Sequence, residues 1–425
     1  MSVLLLIMFL TLMLLGIPIA ISLGISSIVT LAVFSDIPLS LVVQSMFTSM
    51  NSFIMVAVPL FILSGYLLDE GGVAEKIYNF ANAMMGWMHG GLGNVAIFSS
   101  MLFAGMSGSS IADVASMGKI SINAMKRHGY PAEYATSLCL SSSMLASIIP
   151  PSILMLVASS VANVSIGQAL FAGIIPGVII GLVFMSYNYL YCRKNKIGHK
   201  IEFSFHNLIK QFLKAIPALL VPLIILGGMF TGFVTPMEAA GIAVLYAILI
   251  SLFLYKHITV NQLPSIFLRT AKTTGTILFI AVTAKPASWI LEYDGLPAKI
   301  ASTISGITTN SFLIMLVIFA FLILVGMFMD ATAAIYIVVP ILLPTVVAVG
   351  VDPVFFVVFL VITLTFGLIT PPVGVCLYAA SNVTGLKIET IVRHSLPWIA
   401  ITVVTILIFI IFPQIISAPL AWIFK

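Results

Sequence analysis

Residues 145–156 read "LASIIPPSILML", and this stretch decides the fold because it places two adjacent prolines inside a long apolar run. No Asp, Glu, Lys or Arg occurs between residues 134 and 191. Each proline removes a backbone N–H and clashes with the carbonyl four residues earlier, so a helix must break here. The chain repeats the feature at 364–377, "LTFGLITPPVGVCL".

The composition places these breaks in a membrane protein. The chain has 425 residues, of which 61% are hydrophobic and 7% are charged, whereas about 25% of the residues of a soluble domain are charged. Many segments reach the roughly 20 apolar residues that a helix needs to cross a bilayer. The opening "SVLLLIMFLTLMLLGIPIAI" is interpreted as a first span, because it lacks the features of a cleavable signal. We therefore expect an all-α polytopic membrane protein.

The remaining composition excludes several classes of site. Three cysteines without close spacing imply neither a disulfide framework nor a zinc site, and the scattered histidines form no pair at ligand spacing. The formal charge of +5 is expected to lie in cytoplasmic loops, so it is not read as a nucleic-acid surface.

The two halves of the chain match at an offset of 221 positions. The matched residues are glycines, prolines and small residues, found without a gap over some seventy positions. They are Gly105-Met106 with Gly326-Met327, Gly129 with Gly350, Pro150-Pro151 with Pro371-Pro372, Ala158 with Ala379, Ser160 with Ser381, and Pro176 with Pro397. This self-similarity predicts two structural repeats.

Charge indicates how the repeats are related. The stretch 119–130 has three Lys or Arg residues, whereas its counterpart 340–351 has none. The bias reverses in the next loop, since 161–173 has none and 382–394 has two. Loops rich in Lys and Arg stay on the cytoplasmic side, so equivalent loops lie on opposite faces. Repeats of inverted topology are typical of secondary transporters.

Each repeat is expected to contain scaffold spans, a re-entrant helical hairpin and a broken transmembrane helix. The predicted units are a first repeat at 1–192 with its hairpin at 90–127 and broken helix at 132–160, a cytoplasmic connector at 193–215, and a second repeat at 216–425 with its hairpin at 310–348 and broken helix at 353–381. Within the second repeat we expect an interfacial segment at 259–271 and a separate span near 273–291.

The breaks predict a binding site near mid-membrane. The prolines remove the intrahelical partners of four carbonyls, those of Ala146, Ser147, Gly367 and Leu368. In hydrocarbon such backbone is tolerated only inside protein or beside a cavity. Converging carbonyl dipoles suit a hard monovalent cation, and the N-termini of half-helices suit an anion. A purely structural kink is the alternative, but two matched breaks favour a site.

Ionisable residues near the hairpin turns sharpen this prediction. Asp330 lies in the second turn, "GMFMDATAA", where contact with an ion or substrate is expected. Asp113 falls about one helical turn past the first turn, "GMSGSS", so a helix cap or a buried structural bond competes with a site role. Lys285 is expected to extend towards an interface rather than to bind a ligand.

Several motifs resemble the large membrane subunit (DctM type) of tripartite ATP-independent periplasmic (TRAP) transporters. They are "VPLFILSG" (58–65), "GGLGNVAIFSSMLFAGMSGSSIADVASMG" (90–118), "KRHGYPAEYA" (126–135), "IIPPSILM" (148–155) and "ALFAGIIPG" (169–177). The resemblance covers essentially the whole chain. It implies an ion-transporter-superfamily-like fold of the elevator type, in which a transport domain moves against a scaffold.

The resemblance also implies a function and partners. It indicates a sodium-driven importer of an organic acid (a C4-dicarboxylate, sialic acid, or a sugar or keto acid) in the bacterial inner membrane. A periplasmic binding protein would deliver the substrate, and a small four-helix membrane subunit, expected as a separate chain, would complete the complex within the lipid. Both termini are expected in the periplasm. Na⁺ is the coupling ion, and no cofactor, ATP or nucleic acid is expected.

Carried over residue by residue, the resemblance implies three sets of ligands. One sodium site would involve Ser107, Ser109, Ser110, Ser147 and Ile148. The second sodium site would involve Phe328, Asp330, Thr332, Gly367 and Thr370. The substrate would lie near Ser107, Ser152 and Asp330. No arginine falls in either turn or break, so a bidentate arginine–carboxylate clamp is not expected there.

Other functions fit the sequence less well. The main alternative is a sodium-coupled carboxylate symporter that acts without a binding protein. A channel would need a continuous polar lining, whereas the polar groups of this sequence cluster at the two breaks. The stretch "GLGNVA" follows no strand, and no G-x-x-x-x-G-K-[ST] motif occurs, which disfavours dinucleotide enzymes and ATP-driven pumps. An aspartyl protease built on Asp113 and Asp330 is a remote possibility, and no catalytic residues are expected.

Overall fold

The computed structural model describes residues 1–34, 37–50, 53–198, 202–307 and 310–423, and every regular element in these ranges is helical. The helices of the first half are α1 (Ser2–Leu14), α2 (Ile19–Phe34), α3 (Ser40–Met50), α4 (Phe53–Glu70), α5 (Val73–Met85), α6 (Gly91–Ser107), α7 (Ser110–Asp113), α8 (Lys119–Arg127), α9 (Ala132–Ser142), α10 (Leu145–Ile148), α11 (Ile153–Ala162) and α12 (Ile166–Asn195). A π-helical turn, Val114–Gly118, joins α7 to α8.

The second half follows the same plan. Its helices are α13 (Phe205–Phe230), α14 (Pro236–Leu249), α15 (Leu263–Tyr293), α16 (Leu296–Ile307), α17 (Ser311–Phe328), α18 (Ala331–Ala348), α19 (Pro353–Leu368), α20 (Val375–Thr384), α21 (Ile388–Ile411) and α22 (Gln414–Ile423). Among the described residues, seven helices are long and apolar enough to cross a membrane. The predicted all-α, multi-pass fold is confirmed.

The helices repeat in the register that the sequence predicts. Adding 221 to 110–127, the segment that runs from α7 through α8, gives 331–348, which are the bounds of α18. The two halves also pack reciprocally, because α11 lies on α18 while its counterpart α20 lies on α7 and the π-helical turn. Such exchange of equivalent contacts is the mark of a two-fold relation between the repeats.

Both long helices that follow the hairpins are broken at their prolines. The segment Ala132–Ile148 meets Ile153–Ala162 at a bend of 43°, across residues 149–152, which we call the first break. The second break, residues 369–374, separates α19 from α20. The side chains of α19 are buried from Val354 to Leu368. A helix that is apolar all round belongs in the interior, so α19 forms the centre of the bundle.

Glycines set the distance between the hairpins and the breaks. A Cβ atom on Gly367 of α19 would lie 2.6 Å from the Cα atom of Gly326 on α17. A Cβ on Gly108, whose φ is +59°, would lie 2.7 Å from the carbonyl oxygen of Pro151. Small residues let backbones approach this closely. Each hairpin turn therefore lies against the break of its own repeat.

The prediction of an interfacial segment at 259–271 and a separate span at 273–291 is wrong. A short 3₁₀ turn, Val260–Gln262, leads into the single 31-residue helix α15. Pro264 lies in its first turn, where proline favours a helix start. Arg269, in the predicted interfacial segment, and Lys272 both line a cavity, as described below.

Two further boundaries differ from the expected ones. Helix α12 runs to Asn195 and α13 starts at Phe205, so both extend into the predicted connector, of which residues 199–201 lie outside the described ranges. Arg193 and Lys194 form the last turn of α12, where positive charge is favourable to the helix dipole. Helix α16 was not predicted, although adding 221 to 73–85 gives 294–306 and thus relates it to α5.

Candidate functional site

The first hairpin turns at residues 105–110, the first tip. Helix α6 ends at Ser107, and Gly108 adopts the left-handed conformation that closes the turn. Ser109 is the N-cap of α7, since its hydroxyl accepts the N–H of Ala112 at 3.4 Å. The Ser107 hydroxyl lies in the same turn and donates to the Ser109 carbonyl oxygen at 3.4 Å. The first tip thus concentrates hydroxyl and carbonyl oxygens in two turns of chain.

The first break lies beside this tip and is tied to it. The Ser147 hydroxyl accepts the N–H of Ser110 at 3.0 Å, and the two hydroxyl oxygens are 2.8 Å apart. The Ser152 hydroxyl caps α11 by accepting the N–H of Met155 and donates to the Ser147 carbonyl oxygen. The prolines remove the intrahelical partner of this carbonyl, as expected, and the Ser152 hydroxyl beyond them replaces the lost N–H.

The second tip, residues 327–332, has a carboxylate at its centre. Asp330 is the N-cap of α18, and its Oδ1 accepts the N–H groups of Thr332 at 2.9 Å and Ala333 at 3.4 Å. Negative charge at a helix N-terminus is stabilised by the helix dipole. The N–H of Gly374 donates to the Met327 carbonyl oxygen at 3.2 Å, which joins the second tip to the second break.

The second break also satisfies its first carbonyl. The Gly367 oxygen accepts the N–H of Thr370 at 3.0 Å in a tightened last turn, which replaces the partner that the prolines remove. The Thr370 hydroxyl donates to the carbonyl oxygen of Phe366 at 2.7 Å. Thr370 is thereby held at the mouth of the break with both its N–H and its hydroxyl engaged.

Both tips open into one cavity of about 1040 Å³. Six of the predicted site residues line it, and all carry side-chain oxygens: Ser107, Ser109, Ser110, Ser147, Asp330 and Thr332. The other five do not line it: Ile148, Ser152, Phe328, Gly367 and Thr370. Among these, Ser152 is fully buried in its cap, whereas the Phe328 side chain is 57% exposed.

The opposite wall of the cavity was not predicted from the sequence. It is formed by the start of α2, by α4 and by one face of α15, and we call it the scaffold wall. Its polar residues are Tyr66 and Asp69 of α4 and Arg269, Lys272, Thr273 and Thr276 of α15. The α15 residues recur at helical spacing of three, four and seven, which was the available signal. Because 259–271 was predicted to be an interfacial segment, Arg269 was not assigned to a cavity.

The scaffold wall is held together by polar contacts between α4 and α15. The hydroxyls of Tyr66 and Thr273 are 3.0 Å apart. The Arg269 guanidinium carbon lies 4.3 Å from the centre of the Tyr66 ring, and its Nη1 is 3.3 Å from Glu70 Oε1. A cation over an aromatic face is attracted to the ring quadrupole. Arg269 is therefore fixed by two partners on α4.

Asp113 lies away from the cavity. Its side chain is 1% exposed, Oδ2 accepts the Ser100 hydroxyl at 2.8 Å, and Oδ1 has no partner within the described part of the chain. The bond to Ser100 on α6 is the structural role that competed with a site role. Lys285 is exposed and does not line the cavity.

Comparisons with known proteins agree with this architecture. The family model "Tripartite ATP-independent periplasmic transporter, DctM component" matches residues 6–415. The chain is 35% identical over 401 residues to the C4-dicarboxylate TRAP transporter large permease protein DctM of Pseudomonas aeruginosa, covering 94% of each chain. It is 37% identical over 404 residues to the isethionate TRAP transporter permease protein DctMQ of Oleidesulfovibrio alaskensis, covering 94% of this chain and 63% of the relative.

A solved structure shares the fold. The YdaH transporter of Alcanivorax borkumensis superposes with a TM-score of 0.60 over 87% of each chain, at 14% sequence identity. The family model and the near-complete alignments cover both hairpins and both breaks. This chain therefore belongs to the DctM component family of tripartite ATP-independent periplasmic transporters.

Proposed function

We propose that this chain is the large permease subunit of a sodium-coupled TRAP transporter that imports an organic acid across the bacterial inner membrane. The observation that carries the proposal is that two hairpin tips from opposite repeats, with their hydroxyl and carboxylate oxygens, line a single cavity. Ion and substrate sites of repeat-built transporters form at the repeat interface near mid-membrane.

The first tip supports a sodium site built from neutral oxygens. The hydroxyls of Ser110 and Ser147 are already in contact at 2.8 Å, and those of Ser107 and Ser109 lie in the same turn. Such clustered oxygen donors can replace the hydration shell of a small cation. These four residues are proposed as ligands, with the carbonyl of Ile148 completing the set.

The second tip supports a sodium site that carries a charge. Asp330 uses Oδ1 for the cap of α18, which leaves Oδ2 outside that cap and available to a cation. Thr332 lies beside it and lines the same cavity. The backbone oxygens of Phe328 and Gly367 and the hydroxyl of Thr370 are proposed as the further ligands. The family resemblance supplies these three, since none of them lines the cavity.

The substrate is proposed to be a small organic anion. The two relatives compared above are named for a C4-dicarboxylate and for isethionate, both of which are anions. Bound sodium ions and helix N-termini at both tips supply positive charge for such a ligand. Ser107 and Asp330, which line the cavity, are proposed to contact the substrate, whereas Ser152 is proposed to act by capping α11.

The transport movement is proposed to be of the elevator type. The tips and breaks pack on one another through α11, α18 and α20, and the cavity lies between them and part of the scaffold wall, which also touches them where α15 packs on α18 and α4 packs on α6. Sliding of this unit would carry the site across the membrane. A periplasmic binding protein is proposed to load the site, and a small membrane subunit to extend the scaffold, with both termini of this chain in the periplasm.

The test is uptake in proteoliposomes that contain this chain, its small subunit and the binding protein. We expect uptake that follows an inward Na⁺ gradient. Ser110→Ala removes the hydroxyl contact with Ser147 and should weaken Na⁺ activation. The matched control is Ser159→Ala, because the buried Ser159 hydroxyl donates within α11, to the Met155 carbonyl oxygen, and Ser159 does not line the cavity. Uptake indifferent to Na⁺ would overturn the proposal, and full uptake without the binding protein would support the simple symporter.

A further inference from the structure

We propose that the anionic group of the substrate is recognised from the scaffold wall, by the ammonium group of Lys272 on α15. This inference rests on the proposed function and assigns the acid-selecting contact to a residue outside both tips. The substrate would then bridge the two sides of the cavity, with its charged end on α15 and its other end towards the first and second tips.

The charges around the cavity single out Lys272. Four charged side chains line it: Asp69, Arg269, Lys272 and Asp330. Arg269 is engaged by Glu70 and by the ring of Tyr66, and Asp330 is engaged by the N-terminus of α18. Lys272 makes no ion pair within the described ranges of the chain. Of the two positively charged side chains that line the cavity, Lys272 is therefore the one free to pair with a bound anion.

The position of Lys272 gives it a route to the substrate. It lies three residues after Arg269 and four before Thr276, so these three side chains occupy one face of α15. That face lines the same cavity as Ser109 and Asp330. The Tyr66–Thr273 contact at 3.0 Å fixes α15 against α4 directly beside Lys272. Lys272 therefore belongs to the wall that would stay in place during the proposed elevator movement.

The chemistry of an ammonium group fits a family whose members carry different acids. Lysine presents a compact charge with three rotatable donors, whereas arginine presents a planar fork matched to carboxylates and phosphates. A point charge accepts the carboxylate of a C4-dicarboxylate and the sulfonate of isethionate equally well. Closure of the cavity would exclude water from the ion pair and strengthen it. An uncharged substrate would leave the cation without a partner and would be rejected.

The test uses the complete reconstituted transporter and radiolabelled succinate and isethionate as probes. Lys272→Gln should raise the KM for the transported anion about tenfold or more, while leaving half-maximal activation by Na⁺ unchanged. Lys272→Arg, which keeps the charge, should restore most of the affinity. Lys285→Gln is the matched control, since Lys285 lies on the same helix, is exposed and does not line the cavity.

The outcomes separate the two proposals. A Lys272→Gln protein with wild-type KM and intact Na⁺-driven uptake would overturn the role of Lys272 and leave the proposed function standing. A wild-type transporter that moves neither these anions nor N-acetylneuraminate or 2,3-diketo-L-gulonate under a Na⁺ gradient would overturn both. Equal melting temperatures for the three variants would show that a change in KM does not reflect misfolding.

Discussion

The contact between Gly326 and Gly367 offers a direct test of how the second tip is held to its break. In Gly367→Ala the new Cβ would lie 2.6 Å from the Cα of Gly326. The atoms nearest to it all belong to the Gly326 backbone, so they cannot rotate away. Non-bonded carbon atoms prefer a separation of about 3.5–4.0 Å, so α17 and α19 would have to move apart by about 1 Å. Overpacking of this kind costs about 1–3 kcal/mol.

The displacement should also reach the proposed ion site at the second tip. The hydrogen bond from Gly374 N–H to the Met327 carbonyl oxygen, now 3.2 Å long, spans the same junction and would be stretched beyond hydrogen-bonding distance. We therefore expect a lower melting temperature in detergent and a higher Na⁺ concentration for half-maximal uptake. Both quantities can be measured on the same preparation, by thermal unfolding and by proteoliposome uptake.

Gly241→Ala provides the control, because a Cβ there meets nothing within 4 Å. Alanine in a helix interior is favoured over glycine by about 1 kcal/mol, so this variant should be neutral or more stable. Gly367 is the second-last residue of α19, so any propensity gain there would only offset part of the packing cost, and the measured loss would be a lower bound on that cost. A Gly367→Ala protein that melts at or above the wild-type temperature would refute the close approach of α17 and α19.

Three further predictions address single features. Ser100→Ala should destabilise the protein by about 1–3 kcal/mol because it removes the hydrogen bond that the buried Asp113 carboxylate accepts. Ser99→Ala, whose hydroxyl bonds within its own helix, should cost much less in thermal unfolding. Asp330→Asn should keep the cap of α18 and its stability but lose Na⁺ activation, and retention of normal Na⁺ activation would contradict an ion site there. Lys126 and Lys387 should both react with membrane-impermeant reagents from the cytoplasm, and labelling from the periplasm would reject the inverted topology.

The repeats and breaks could be predicted because they depend on local backbone chemistry. A single proline is tolerated inside several of the helices, such as Pro176 in α12, but two adjacent prolines remove two successive backbone N–H groups, and both Pro-Pro pairs coincide with a break. The offset of 221 likewise carries over to the structure, where α18 begins and ends at the positions that the first hairpin dictates. Hydroxyl-rich tips were also predictable, since six of the eleven predicted site residues line the cavity.

The scaffold wall could not be predicted in the same way. Arg269 and Lys272 are charged residues in a moderately apolar stretch, and sequence alone does not distinguish a helix end at the interface from a helix face on an aqueous cavity. The distinction depends on which helices pack against α15, and contacts with α2, α4 and α18 decide it. The partners of the break carbonyls were missed for a related reason, since Ser152 reaches Ser147 only after the chain has turned.

The two tips occupy equivalent positions but differ in charge. Ser109 caps α7 and Asp330 caps α18, and the two residues are related by the offset of 221. A carboxylate at the cap attracts a cation through its charge, whereas a serine contributes only a dipole, so the first tip needs more oxygen ligands to bind equally well. The contact of Ser110 with Ser147 supplies such oxygens. The first repeat has its own acid, Asp113, but that residue is buried one turn behind the tip. Of the two tips, only the second therefore contributes a carboxylate to the cavity, and the proposed cation there would offset that charge before an anion enters.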